Sequence, residues 1–108
     1  MVEDSKLECR DLKLDCQEEL EEISKKYPRG IYVHHKGGLY CLYSMTVHES
    51  LLLPLFHYYS LQKKVRWTRD FVAWTSIVQR DDQEIPRFKF LRDATRQELL
   101  EACGLELP

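Results

Sequence analysis

The chain has 108 residues, 44% of them hydrophobic and 11% aromatic, with a formal net charge of −2. That size and balance predict one globular domain, which buries about 65% of its unfolded surface and needs no staples. No apolar run reaches the roughly 18 residues of a membrane helix; the longest, Leu51-Leu52-Leu53-Pro54-Leu55-Phe56, is interrupted by Pro54.

The chain divides into a helical extension over 1–27, a β core over 28–92 and a C-terminal helix over 93–108. In the first part, Leu12, Cys16, Leu20 and Ile23 recur at helical spacing, with Glu18, Glu19, Glu21 and Glu22 between them. Either Ser5 with Glu8 or Asp11 serves as the N-terminal cap, and Pro28 and Gly30 stop the helix. The Leu stripe faces either the core or a partner. From Gly30 the period changes to two. Ile31–His35 and Leu39–Val47 are rich in β-branched and aromatic residues and flank the turn Gly37-Gly38. Leu53–Tyr59, Val65–Thr68, Thr75–Arg80 and Ile85–Phe90 read as further strands, with turns at Gln62-Lys63-Lys64 and Asp81-Asp82-Gln83. Pro86 lacks a donor and marks an edge or an irregular start. Short strands at this spacing predict a small antiparallel barrel. Its core is assigned to Trp67, Phe71, Trp74, Phe88 and Phe90. The last segment is a helix capped by Asp93 or Thr95, with Thr95 and Glu98 in a capping-box spacing. Leu99, Leu100 and Cys103 form its apolar side and Gly104 its stop.

Charge is distributed unevenly. Residues 1–26 carry nine acids and five bases, residues 27–92 five acids and ten bases, and residues 93–108 four acids and one base. A basic middle between acidic ends points either to an anion-binding body or to ordinary solvated surface. The acidic start Met1-Val2-Glu3-Asp4 has no signal-peptide pattern. Cys9, Cys16, Cys41 and Cys103 are scattered without a C-x-x-C pair. On a shared helix Cys9 and Cys16 lie about 10.5 Å apart along the axis, beyond disulfide reach. Reduced thiols and a cytoplasmic location follow. The Cys and His residues show no zinc-ligand spacing, and no cofactor is implied.

The stretch Gly30-Ile31-Tyr32-Val33-His34-His35-Lys36-Gly37-Gly38-Leu39-Tyr40 has a recognisable pattern. His48 follows eight residues after Tyr40, and then come Tyr58, Trp67-Thr68-Arg69-Asp70 and Ile85-Pro86-Arg87-Phe88. In order and spacing these motifs resemble a family of small, mostly bacterial proteins known as domain of unknown function 1653. The resemblance covers about residues 28–90 and implies a small barrel of the SH3-like kind, with no activity, cofactor or substrate attached. Departures from the family pattern are Glu49-Ser50-Leu51 for Ser-Glu-Thr, Asp70 for a proline, Ser76 for an acidic residue and Asp82 for a turn glycine.

His34, Lys36, His48, Tyr58, Arg69 and Arg87 are the polar residues that match the pattern, and they are the candidate ligand-binding set. They suit an anion: arginine offers a planar fork, histidine donates or accepts, and tyrosine adds a hydroxyl on a flat body. Each also has a structural reading, as a strand-end or turn bond. His35 and His57 lie outside the pattern and are expected at the rim or in solvent. Tyr32, Tyr40, Tyr43 and Tyr59 either pack or form an exposed shelf for bases. No phosphate loop or nucleophile elbow is present, and nothing orients a Cys41–His34 pair. The first reading is a non-catalytic binding module for an anionic ligand, a peptide or nucleic acid. The second is an interaction subunit docking through its terminal helices. A small hydrolase or transferase comes third.

Overall fold

The computed structural model describes residues 18–105. Predicted features in residues 1–17, including Cys9, Cys16, Leu12 and both candidate caps, lie outside the described residues. Helix α1 is seen over 18–26. Strands β1 (Gly30–His34), β2 (Leu39–Val47), β3 (Pro54–Ser60) and β4 (Arg66–Asp70) follow, then the single turn α2 (Phe71–Trp74). The hairpin β5 (Ile77–Arg80) and β6 (Gln83–Pro86), strand β7 (Phe88–Arg92) and helix α3 (Arg96–Cys103) complete the chain. Mostly antiparallel β structure with helices at both ends is therefore what the sequence forms.

Five strands make one sheet in the order β4-β3-β2-β1-β7, and β5-β6 stand as a separate hairpin. The expected SH3-like barrel is not closed. No ladder among the described residues joins the edges β4 and β7 to each other or to the hairpin. Two local features mark where the chain leaves the sheet. Asp70 caps α2, its Oδ1 accepting from the Ala73 N–H at 2.8 Å, so a helical turn takes the chain out of the sheet just after β4. Pro86 cannot donate to a ladder, and the predicted strand Ile85–Phe90 divides at Arg87 into β6 and β7. The predicted strand Thr75–Arg80 starts only at Ile77, because Thr75 and Ser76 turn their hydroxyls back onto carbonyls of α2.

Both faces of the sheet are covered, which explains strands apolar on consecutive positions. Register places Tyr32 opposite Tyr40 and Phe90, Leu42 opposite Tyr58, and Phe56 opposite Arg69, all on one face. There Tyr32, Leu42, Phe56, Tyr58, Trp74 and Phe88 form a buried cluster, with Ile23, Tyr27 and Phe71 of the α1 and α2 regions packed on it. The opposite face buries Ile31, Cys41 and Tyr59 against Ala102 and Leu99 of α3. Tyr32 and Tyr59 are thus packing residues, not part of an exposed shelf. Two residues assigned to the core are exposed: Trp67 at 47% and Phe90 at 40%. Both lie on edge strands, where one side of the residue has no neighbour.

Gly30 lets β1 meet β7 closely: a Cβ there would come within 2.7 Å of the Arg92 carbonyl oxygen. The capping box of α3 is present, with Thr95 Oγ1 accepting from the Glu98 N–H at 3.1 Å and Glu98 accepting from the Thr95 N–H at 2.9 Å. Arg66 donates to the carbonyls of Ala102 (2.6 Å) and Glu101 (3.0 Å), placing a cation at the negative end of that helix. No described helix is long and apolar enough to cross a membrane.

Candidate functional site

The first face is not filled to its end. Where β1 finishes, β2 begins and β7 begins, a half-open concavity of about 220 Å³ remains. His34, Tyr40, Tyr58, Trp67, Arg69 and Phe88 line it, with Lys63 from the β3–β4 turn. The strand period assembles this set. His34 pairs with Phe88 and Tyr58 with Trp67, so each pair shares a face, and Trp67 and Arg69 are two residues apart on β4.

The floor is aromatic. Phe88 stacks flat on Trp74 at 3.8 Å between centroids and 3° between planes. Tyr40, Tyr58 and His34 meet Phe88 edgewise at 5.8, 5.5 and 4.9 Å. Arg69 stands over the Phe88 ring at 5.6 Å and donates through Nε to the Tyr58 hydroxyl at 3.2 Å. The protein's own guanidinium therefore already occupies the cation position above the aromatic floor. A cationic ligand would be repelled from it. The two terminal nitrogens of Arg69 make no hydrogen bond among the described residues, which leaves a planar fork for an oxyanion.

His34 is held neutral. Burial lowers its pKa to about 4, and His35, Arg69, Arg87 and Lys36 push in the same direction. No carboxylate among the described residues contributes to this shift. Its Nδ1 accepts from the Lys36 backbone N–H at 3.2 Å, which puts the ring proton on Nε2 and makes that atom a donor. The consequence for stability has a definite sign. Between pH 6.5 and 4 the unfolded chain takes up a proton that the folded chain refuses, so acid favours unfolding. The contribution is complete above pH 6.5, falls as pH drops toward 4, and is gone below it. The concavity is open to water, so screening holds the total to about 1 kcal/mol. Urea unfolding at pH 7 and pH 4.5 should show this loss, and His34→Gln should flatten it. An unchanged pH dependence in that variant would refute the assignment.

The six candidates do not all converge. His34, Tyr58 and Arg69 line the concavity together. Arg87 flanks it: its Nε donates to Ser76 Oγ at 2.8 Å and its carbonyl accepts from His35 N at 2.9 Å. Ser76 supplies a hydroxyl here, so this bond brings no counter-charge to Arg87. Lys36 lies exposed in the β1–β2 turn. His48 is elsewhere, its Nδ1 accepting from the N–H groups of Ser50 and Leu51 to hold the β2–β3 turn. His57 is not in solvent. It is half-buried on the opposite face between Thr46 (2.7 Å) and Thr68 (3.2 Å), and burial lowers its pKa. His35 is likewise half-buried, its ring 4.3 Å from His34. Lining residues outside the candidate set are Tyr40, Lys63, Trp67 and Phe88. The Trp67–Arg69 alternation was the readable signal for one of them; nothing marked Lys63. Among the described residues no three His, Cys, Asp or Glu side chains gather as metal ligands.

Residues 30–90 match the model of a protein family described as protein of unknown function (DUF1653). The chain belongs to this DUF1653 family. The match spans every element from β1 into β7, and therefore every residue of the concavity. The chain is also similar to the crystal structure of a DUF1653 protein from Bordetella bronchiseptica. The TM-score is 0.56 at 23% identity, covering 62% of this chain and 90% of the other, which supports a shared fold. No curated protein matches the chain. Helix α3 lies beyond the DUF1653 match and closes the face opposite the concavity.

Proposed function

We propose that the protein is a non-catalytic binding module whose concavity takes an anionic group carried on a flat apolar body. The observation that supports this most is Arg69. Its Nε and its face are committed to Tyr58 and Phe88, while its terminal nitrogens, without hydrogen bonds among the described residues, are left for a ligand. His34 Nε2–H and Lys63 add donors beside it. The aromatic rings supply a surface for a planar group, and 220 Å³ suits a small one. Cys41, buried, and Cys103, exposed, form no disulfide among the described residues, which supports a reducing, cytoplasmic location.

Titration with phenyl phosphate, followed by amide and side-chain NMR shifts, tests the reading. Shifts should gather at His34, Tyr58, Arg69 and Phe88. Inorganic phosphate should bind more weakly at the same place, and phenyltrimethylammonium should not bind. Preferential binding of the ammonium probe, or shifts confined to other surfaces, would reject it.

A further inference from the structure

We propose that the anion is a single-stranded nucleic acid, with one base seated in the aromatic concavity and its backbone laid along the cationic rim that adjoins it. This rests on the binding-module reading and goes further in naming the ligand class. The rim is continuous. Lys63 and Arg69 border the concavity. Arg69 lies over Phe88, whose ring meets His34 at 4.9 Å, and His34 stands 4.3 Å from His35. On the far side of the two histidines, Arg87 accepts from the His35 N–H through its carbonyl and Arg80 donates to the His35 carbonyl. Lys36 completes the group, its N–H bonded to His34.

Four cations, Lys36, Arg69, Arg80 and Arg87, thus lie around one histidine pair, with Lys63 on the border of the concavity, and none of the five forms an ion pair among the described residues. The described ion pairs are elsewhere, at Lys25–Glu22, Lys64–Glu101 and Arg92–Glu98. Four acids of the strand region are otherwise engaged or at an exposed tip. Asp70 caps α2, Glu84 accepts from Gln79, and Asp81 and Asp82 sit at the exposed hairpin tip. A single phosphate uses one or two cations. Five of them, spread from the β3–β4 turn to the β5–β6 hairpin, match a ligand with several phosphates in a row. Trp67 supplies the second element. It is 47% exposed on the unpaired edge of the sheet and forms a wall of the concavity, where an unpaired base can stack. In a duplex that base face is covered by its neighbours. An acidic peptide would meet the cations but leave the flat faces of Trp67 and Tyr40 unmatched.

Fluorescence anisotropy with labelled 12-nucleotide single strands of thymidine and of mixed sequence provides the test. If four phosphates are held, affinity should fall about 50-fold between 50 and 200 mM salt. Trp67→Ala should weaken binding about tenfold and leave the salt slope unchanged. Arg80→Gln with Arg87→Gln should flatten the slope by about 0.7 per cation removed; Lys36→Gln, at an exposed turn, reads the same effect if the double variant does not fold. A duplex of the same length should bind less tightly. Oligonucleotides that bind no tighter than phenyl phosphate would overturn the polyanion assignment while the module reading stands. Failure of phenyl phosphate as well would remove both. A 12-residue polyglutamate binding as tightly as the single strand, without loss in Trp67→Ala, would assign the rim to acidic peptides instead.

Discussion

Trp74→Ala should destabilise the fold by about 3–5 kcal/mol, as urea unfolding followed by far-UV circular dichroism will show. Trp74 is 1% exposed, stacks on Phe88, and meets Tyr32 at 5.4 Å, Phe56 at 5.1 Å and Tyr58 at 5.0 Å. Truncation opens a cavity at the junction of these four rings. A small domain has about 5–15 kcal/mol in total, so the variant stands near the edge of folding. Trp74→Phe should be much milder. It keeps a ring against Phe88, and it removes an indole N–H that is buried without a hydrogen-bond partner among the described residues. The pair of variants separates volume from chemistry. A loss under about 1 kcal/mol in Trp74→Ala would mean that the stack does not hold α2 on the sheet. The same residue links core to site, because Phe88 rests on Trp74 with one ring face and forms the floor of the concavity. Trp74→Phe should therefore weaken phenyl phosphate binding more than it lowers stability.

The strands were legible where turns announced themselves. Gly37 and Gly38 both have positive φ, and the hairpin they join is β1–β2 as the sequence indicates. Asp81 and Asp82 turn β5 into β6 with both residues left-handed, at φ of 52° and 62°. Pro86 signals an edge or an irregular start, but the break between β6 and β7 is hidden because a period-two pattern continues through Phe88 and Phe90. Helix α2 was missed for a comparable reason. Four residues are too few to show helical periodicity, and only Asp70 as a cap hinted at it. Closure of the sheet could not be read at all. It depends on whether two edges meet, which no local pattern encodes. The site was legible in part. His34, Tyr58 and Arg69 belong to separate strands, and only the register of β1, β3 and β4 on a shared face brings them together. His48 matched the same family pattern, but its ring nitrogen is taken up by a turn. A motif match alone does not distinguish these two uses of a histidine.

Arg69→Lys should weaken phenyl phosphate binding by about tenfold or more, and Arg69→Gln should weaken it further. A charge-assisted hydrogen bond contributes about 1.5–3 kcal/mol, and the guanidinium can offer two in parallel. Lysine retains the charge. It lacks the Nε–H that Tyr58 accepts and the plane that lies over Phe88, so it loses both the orientation and the second bond. Tyr58→Phe isolates the orienting part: the charge stays, the 3.2 Å bond goes, and affinity should fall with only a small change in stability. Isothermal titration calorimetry on the three variants, each checked for an unchanged NMR fingerprint away from the site, orders these effects. Equal binding by the parent and Arg69→Gln would show that the guanidinium stabilises the aromatic floor and does not meet a ligand. Equal binding by the parent and Arg69→Lys would show that charge alone matters, and that the fork geometry set by Tyr58 and Phe88 has no part in recognition.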